Sequence, residues 1–501
     1  MARGPRAIAP SPTPPGSIPI AKPGHRPGFC RERDRRFILI AAIVASALAF
    51  IDGTFIAIAL PAMRAGLDAT LAQAQWINNG YLLPLSALIL LGGALGDRFG
   101  VARAFGAGIV VFVAASLLCA LAPTPGTLIA GRVLKGIGAA AMIPGSLALI
   151  ARAYPRAERG RAIGIWAAAA ALTTALGPIL GGVALNFGGP EIWRLLFAIN
   201  LPLGALALWL LWRSVRDDMR GPAEPLDIPG AALISLSLAA LAYGLSAGTG
   251  SDPRALSLAA LFFAWFLWRE ARTAHPMIPL GLFRDRAFAA ANLATFLIYF
   301  ALSTVLFFLP MTMIAGWGAS EAIASVVFAP LSVFIASLSA KSGKLADRYG
   351  AGRLIGAGGA IVALSFACLA LAARAQDIWF GVLPSTMLMG LGMALVVAPL
   401  STAIMTSLPE ERSGVASGIN NAVSRVAGLI AVAAMGSLAA VLYAAAGGSE
   451  SFGAFSDTDG HGTAMSHAFA TLAWITAGMT ATGAAAAFIL IPARTSEDAT
   501  A

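Results

Sequence analysis

Charged side chains are scarce in this chain. Asp, Glu, Lys and Arg make up 12% of its 501 residues, whereas 58% are hydrophobic and the mean hydropathy is +0.79. No soluble domain buries so large an apolar fraction, so the composition excludes a soluble protein and indicates a polytopic membrane protein. The apolar runs are continuous and about 20 residues long instead of alternating, which excludes a β-barrel and predicts an all-α fold.

Cysteine and histidine are rare as well. Cys30, Cys119 and Cys368 lie far apart, and none of the four histidines lies deep in a predicted helix. This distribution predicts neither a disulfide nor a metal site and offers no constellation for a membrane-embedded enzyme. The sequence also lacks a glycine-rich phosphate-binding loop followed by Lys and Ser or Thr. We therefore expect no enzymatic activity, no cofactor and no direct use of ATP.

Fourteen apolar segments are long enough to cross a membrane, if a short one at 255–268 is included. Without that segment, every later helix would have the opposite orientation. We expect two halves of six helices each, separated by two extra central helices. The predicted parts are a disordered basic tail at 1–36, a first half at 37–213, a linker with the two extra helices at 214–287, a second half at 288–491 and a C-terminal tail at 492–501.

The positive charge falls on one side of this topology. If the N-terminus is cytoplasmic, 27 of the 34 Lys and Arg residues lie on the inner side and four on the outer side. This bias is the positive-inside pattern of a membrane protein. It accounts for the net charge of +10 without nucleic acid, for which no binding module is found. We expect a multi-pass protein of a bacterial inner membrane, in contact with the lipid bilayer, with both termini cytoplasmic.

The pattern Gly-x-Leu-x-Asp-Arg-x-Gly-x-x-Arg occurs twice, each time in a short polar break between two apolar segments. The repetition indicates duplicated halves whose loops do the same mechanical job. Glycine permits a tight turn, and each Asp is expected to accept hydrogen bonds from a neighbouring helix N-terminus. Each Arg is expected to pair with that Asp or with lipid phosphate. The residues are Gly93, Asp97, Arg98, Gly100 and Arg103 in the first copy and Gly343, Asp347, Arg348, Gly350 and Arg353 in the second.

The repeated loop is the signature loop of the major facilitator superfamily, and the chain resembles the 14-span drug:proton antiporter branch of that family over nearly its whole length after residue 36. Departures from the branch pattern are Ala57, Thr173 and Lys135, which leave the fold unaffected but bear on substrate range. Further matches are Asp52 in helix one, Trp76 and Tyr81 in helix two, Arg132, Gly136 and Gly138 in helix four, Gly164, Gly177, Pro178, Gly181 and Gly182 in helix five, Trp193, Arg194, Phe197 and Asn200 in helix six, and Asn421, Arg425 and Gly428 in helix thirteen.

The helix-five match has a physical interpretation of its own. Pro178 removes a backbone donor and is expected to kink the helix, and the glycines around it permit close packing of neighbouring helices. Such a helix can seal one face of a transporter while the other face opens. The alternative is a packing motif without a role in exchange. For Trp193, Arg194 and Asn200, both a structural and a coupling role stay open.

Asp52 is the only acidic residue well inside a predicted span. Arg132 and Lys135, spaced i and i+3, share a helix face and lie at a similar depth in the outer half of the membrane. We expect Asp52 to exchange a proton and substrate while Arg132 tunes its protonation. The alternative is a static ion pair that holds helices one and four together.

Arg425 is the remaining cation within a span. It could extend to the inner interface, pair with a backbone carbonyl or act directly in transport. If Arg132, Lys135 and Arg425 all face the cavity, its net positive charge favours neutral or anionic amphiphiles. Lys135 could instead be neutral in an apolar pocket.

The resemblance implies a proton-driven exporter of amphipathic small molecules such as drugs, dyes or toxic metabolites, which works by alternating access. Its partners would be those substrates, protons and lipid. The alternative is proton-coupled uptake of a small metabolite such as an organic acid or a sugar. Whether a periplasmic adaptor binds, for example at the polar loop 445–469, stays open.

Overall fold

The computed structural model describes residues 29–218, 226–246, 251–408 and 413–491. In these ranges the chain is helical, with one isolated antiparallel bridge between Cys30 and Val215 and no other β-pairing. Most of the predicted N-terminal tail and the whole of the predicted C-terminal tail lie outside the described residues. The expectation of disorder is wrong for the end of the first tail, because the backbone N–H of Arg216 donates to the Phe29 carbonyl over 3.0 Å.

The first half contains seven helical segments that make six spans, since α6 and α7 follow each other across one turn. They are α1 (Arg35–Gly66), α2 (Leu71–Phe99), α3 (Val101–Ala120), α4 (Pro125–Ala153), α5 (Arg156–Gly188), α6 (Trp193–Ala198) and α7 (Asn200–Ser214).

The two inserted helices and the second half follow. They are α8 (Ile228–Leu245), α9 (Pro253–Glu270), α10 (Arg286–Met311), α11 (Glu321–Tyr349), α12 (Ala351–Ala375), α13 (Leu383–Thr406), α14 (Ser413–Ala445) and α15 (His461–Leu490).

Local sequence explains where several helices begin. Thr70 and Gln73 form a reciprocal capping box at the start of α2, and the Thr124 hydroxyl accepts the Thr127 N–H before α4. Asp285 caps α10 in the same way by accepting the N–H of Phe288 over 2.8 Å. Each cap satisfies a helix-end N–H that lipid could not hydrogen-bond.

Thirteen helices of the described chain are long and apolar enough to cross a membrane, counting α6 and α7 as one span. The 18-residue α9 is not among them because Arg254, Arg269 and Glu270 shorten its apolar stretch. Nevertheless, α9 packs antiparallel to α8 along its length, and the Ser237 hydroxyl donates to the Ala259 carbonyl over 3.0 Å. It therefore returns the chain across the bundle, and the expected fourteen-helix fold is confirmed.

Both copies of the repeated pattern join two antiparallel helices through a single residue. Gly100 lies between α2 and α3 with φ 102°, and Gly350 lies between α11 and α12 with φ 89°. A residue with a side chain is strained at such angles, so glycine is required for so tight a connection. We call the end of the bundle that carries these two loops the motif end and the other end the opposite end.

The two halves pack against each other at the opposite end. There, Arg64 of α1 donates to the carbonyl of Phe452 over 2.5 Å and to the Ser451 hydroxyl over 2.8 Å. Gln75 of α2 donates to the Val432 carbonyl of α14 over 2.7 Å, and Gly182 of α5 lies against the start of α11. These contacts close the opposite end.

The motif end is more open between the halves. A Cβ atom added at Gly160 or Gly164 of α5, or at Gly343 of α11, would meet no atom within 4 Å. By contrast, α2 and α14 remain in contact toward this end, where Leu90 lies beside Gly418. At these three glycines α5 and α11 are thus not packed against the other half, whereas α2 and α14 are in contact.

Candidate functional site: a buried charge cluster between α1 and α4

Three charged side chains meet inside the first half. Arg132 and Lys135 of α4 donate to the two different carboxylate oxygens of Asp52 on α1. The side chains are 0–1% exposed. The predicted shared face and similar depth of these residues are therefore present in the structure. We call these three residues the charge cluster.

Close helix packing brings the cluster together. Gly80 of α2 lies against the Ile129 carbonyl and the Arg132 side chain, and Gly136 of α4 lies against the Tyr81 carbonyl. Because neither glycine carries a side chain, α2 and α4 approach closely. The Nε of Arg132 then donates to the Ile77 carbonyl of α2 over 2.9 Å, which fixes the guanidinium in place.

Aromatic rings enclose the two cations. The guanidinium carbon of Arg132 lies 4.5 Å from the Tyr81 ring centroid. The Nζ of Lys135 lies 4.4 Å from the Phe112 centroid and 4.7 Å from the Phe197 centroid. Ring faces at these distances attract cations and exclude water, and both effects strengthen electrostatic interactions within the cluster. Sequence reasoning missed this enclosure, since phenylalanine in an apolar helix gives no signal of its own.

The charge balance of the cluster is not neutral. If all three groups are ionised, one carboxylate faces two cations, and the cluster carries one excess positive charge. Two nearby cations favour the ionised carboxylate, whereas removal of water disfavours any charge. The geometry fits both a proton-exchanging group and a static ion pair.

The helix-five glycines contact α1 and the other half. Gly177 lies against Thr54 and Gly181 against Phe55, both on α1, while Gly182 lies against Glu321 and Ser325 of α11. Gly164, at the motif end, contacts nothing at its Cβ position. Pro178 lies within the continuous helix α5. The motif thus joins the helix that bears Asp52 to the seam between the halves.

The helix-six residues have structural contacts. Arg194 donates to Glu191 over 2.7 Å and to the Ala122 carbonyl over 2.7 Å, so it fastens the loop between α3 and α4. Buried Trp193 contacts the Phe197 ring, and Asn200 donates to the Ser116 hydroxyl over 3.2 Å. Two of these contacts lead to the charge cluster, because Phe197 lies against Lys135 and Ser116 donates to the carbonyl of Phe112, whose ring also lies against Lys135.

The first copy of the repeated loop differs from expectation. Asp97 pairs with Arg152 of α4 at 3.5 Å. The N-terminus of α3 is capped instead by Asp218, whose carboxylate accepts the N–H groups of Ala102 at 3.2 Å and Arg103 at 2.9 Å. Asp218 is remote in sequence, and no pattern pointed to it. The Arg98 guanidinium lies over the neighbouring ring of Phe99, not on Asp97.

The second copy makes fewer contacts. Asp347 is exposed and has no ion pair among the described residues, and Arg348 lies over the Tyr349 ring at 5.3 Å. Arg353 also has no acidic partner within the described ranges. The two copies therefore share their backbone turn but not their side-chain contacts.

Arg425 lies on α14, which begins at Ser413 and not near the predicted start of the span at 419. It is four residues from the middle of this helix, or about 6 Å. A carbonyl partner for it is not found among the described residues, and its Nε is buried without a hydrogen bond. Extension of its side chain to the membrane interface stays a prediction.

The fold and the enclosed intramembrane charge cluster define a helical membrane transporter with two six-helix halves. The family profile described as Major Facilitator Superfamily matches residues 42–432. The chain belongs to this family, and its recognition from the repeated loop is confirmed.

Two relatives are named as resistance proteins. The methylenomycin A resistance protein of Bacillus subtilis (strain 168) is 33% identical over 421 residues, which are 82% of this chain and 89% of the relative. The tetracenomycin C resistance and export protein of Streptomyces glaucescens is 32% identical over 415 residues, or 80% and 75% of the two chains. A bacterial homologue of the human lysosomal transporter Spinster, in an inward-facing and unoccupied conformation, has a similar structure. Its TM-score is 0.67 at 18% identity, with 92% of this chain and 98% of that chain covered.

Proposed function

We propose that this protein is a proton-coupled antiporter that exports amphipathic small molecules across the bacterial inner membrane. The observation that carries the proposal is the Asp52 carboxylate, fully buried and held by two cations inside a transporter of this family. An intramembrane charge is costly and is therefore a functional group by default. The direction of transport is supported by the names of two relatives, a resistance and export protein at 32% identity and a resistance protein at 33% identity.

We further propose that the motif end faces the cytoplasm, with both termini on that side. The positive-inside distribution of Lys and Arg supports this orientation. The opposite end is closed and the motif end is open in the structure, so the proposed orientation makes this a state that can load substrate from the inside. Alternating access then requires the contacts of Arg64, Gln75 and Gly182 to separate as the motif end closes.

Proton coupling follows from the partners of Asp52. In the structure, Arg132 and Lys135 both donate to the Asp52 carboxylate. A shift of α1 along α4 that removes either donor would make protonation easier. Gly177 and Gly181 of α5 contact α1 next to Asp52, and Gly182 contacts α11. Movement between the halves can thus change the protonation of Asp52 through α5.

The experiment is transport into inside-out proteoliposomes with an imposed pH gradient. The wild-type protein should accumulate a fluorescent amphiphile and release protons in exchange. Asp52→Asn should lose gradient-driven accumulation, because the amide cannot exchange a proton. The control Asp68→Asn makes the same chemical change at an exposed residue of the opposite end and should transport normally. Normal gradient-driven transport by Asp52→Asn would refute the coupling, and proton movement in the same direction as substrate would indicate uptake.

A further inference from the structure

Arg425 is the one charged residue of α14. It lies near the middle of this helix, between the two halves, where it interacts electrostatically with Tyr81 of α2 and Tyr299 of α10. Its side chain is partly exposed, whereas its Nε is buried and makes no hydrogen bond. A guanidinium therefore faces the space between the halves from the second half.

The other two cations within predicted spans, Arg132 and Lys135, share the acceptor Asp52. Buried Arg64, at the opposite end, donates to the carbonyls of Ala69 and Phe452 and to the Ser451 hydroxyl. No hydrogen bond or ion pair of Arg425 is found within the described ranges. An unpaired cation at this depth is costly to the fold. Its presence is explained if an acceptor arrives from outside the protein.

Groups near Arg425 do not supply that acceptor. The Asn420 amide donates to the Thr295 hydroxyl over 2.7 Å, and it also reaches the Asn292 carbonyl oxygen at 3.4 Å. Ser424 donates to the carbonyl of Asn421 over 2.9 Å. These partners satisfy one another and leave the guanidinium free to bind a ligand.

Charge balance gives the sign of that ligand. The Tyr81 ring stacks on Arg132 of the charge cluster. Its neighbours Asn79 and Leu82 contact α14 at Leu429 and Gly428, one turn from Arg425, so the cluster and Arg425 are near each other. Together they hold three cations and the single carboxylate of Asp52, if all are ionised. A cationic ligand here would raise the excess positive charge, whereas an anion would lower it.

We propose that Arg425 binds the anionic group of the exported molecule, so that the preferred substrates are acidic amphiphiles, with a carboxylate, sulfonate or phenolate on an aromatic body. This inference rests on the proposed export function. A guanidinium binds such groups through charge-assisted, often paired, hydrogen bonds. Tyr299 of α10, which is partly exposed, offers aromatic surface for the body of the ligand.

The test compares two dyes with the same xanthene core and opposite charge, fluorescein and rhodamine 123. Binding to purified protein in lipid nanodiscs is measured by fluorescence polarisation without a proton gradient. Arg425→Met should weaken fluorescein binding about tenfold or more, the scale of one lost charge-assisted hydrogen bond. It should leave rhodamine 123 binding unchanged or stronger. Arg425→Lys, which keeps the charge, should retain part of the fluorescein affinity.

Arg374→Met is the matched control, because it removes the same charge from an exposed position at the end of α12. It should leave the binding of both dyes unchanged. Since an unpaired cation at this depth is costly to the fold, Arg425→Met should keep or raise the thermal midpoint of the wild type. If Arg425→Met lowered the thermal midpoint and weakened the binding of both dyes equally, Arg425 would be a structural residue and the inference would be overturned.

Other outcomes separate this inference from the proposed function. The proposed substrate class would be overturned if the wild-type protein did not bind fluorescein. It would also be overturned if Arg425→Met bound fluorescein as tightly as the wild type. Both conclusions hold even if dye export proved to be proton-driven. If fluorescein binding depends on Arg425 but a proton gradient does not drive fluorescein movement, the binding site is supported and proton-coupled export is refuted.

Discussion

The two halves share a backbone repeat but differ in the chemistry they place within the membrane. The first half holds Asp52, Arg132 and Lys135 in mutual contact and away from water. The second half contributes Arg425, which has no partner among the described residues. The two copies of the repeat therefore share the turns at Gly100 and Gly350, whereas the charged residues within the membrane differ between the two halves. We interpret the first half as the site of proton exchange and the second as the site of anion recognition.

The largest effect on folding should come from removing the shared acid of the cluster. Asp52→Leu leaves Arg132 and Lys135 buried without a counter-ion, and breaking such a pair costs about 3–5 kcal/mol. Chemical unfolding in detergent micelles should show this loss, while Arg425→Met should show almost none. Equal losses for the two variants would contradict the contrast between the halves.

A smaller loss is expected when one donor of the cluster is removed. Lys135→Met keeps the Arg132–Asp52 pair and adds an apolar side chain near Phe112 and Phe197. The lost hydrogen bond to a charged group is worth about 1.5–3 kcal/mol, in part offset because the lysine charge need no longer be buried. The free energy of unfolding of this variant should thus lie between the values of the wild type and of Asp52→Leu. A loss equal to that of Asp52→Leu would show that Arg132 alone does not hold the carboxylate.

The seam between the halves can be tested at one helix. Gly182→Val inserts a side chain against Glu321 and Ser325 and should disfavour closure of the opposite end by about 1–3 kcal/mol. Gly164→Val places the same side chain in open space on α5 and is the control. Spin labels at the opposite ends of α5 and α11 should report a longer distance only for Gly182→Val. An unchanged distance in this variant would show that the glycine is not needed for closure.

The smallest effects are expected at the repeated loops. Asp218→Ala removes a cap on α3 and should cost about 0.5–2 kcal/mol, whereas Asp97→Asn removes an exposed pair worth about 0–1 kcal/mol. Asp347→Asn should change stability least, since Asp347 has no ion pair among the described residues. Thermal midpoints should follow this order, and the reverse order would show that the loop acids, not Asp218, hold the motif end.

Much of the fold follows from sequence because the bilayer imposes simple rules. Apolar length predicts the spans, and the glycine positions predict the tight turns between α2 and α3 and between α11 and α12. The i, i+3 spacing of Arg132 and Lys135, with their depth, placed both near Asp52. Contacts between distant segments were not predictable in this way. Asp218 on the α3 terminus and the rings of Phe112 and Phe197 on Lys135 depend on tertiary packing, which no local pattern encodes.

The start of α14 shows a second limit of sequence patterns. The helix begins six residues before the apolar run that defined the predicted span. Polar residues such as Asn420 continue the helix because neighbouring helices satisfy them, as Thr295 does for Asn420. Boundaries based on apolarity therefore mark the apolar stretch and not the ends of the helix.

The central claim, that Asp52 exchanges a proton in response to substrate, can be measured without a membrane gradient. Purified protein in weakly buffered detergent solution is mixed with a saturating amount of fluorescein, and released protons are followed by a pH electrode near neutral pH, with a protein-free blank. The account predicts that substrate changes the proton content of the wild type and that Asp52→Asn shows no such change. Proton exchange by Asp52→Asn equal to that of the wild type would contradict the account.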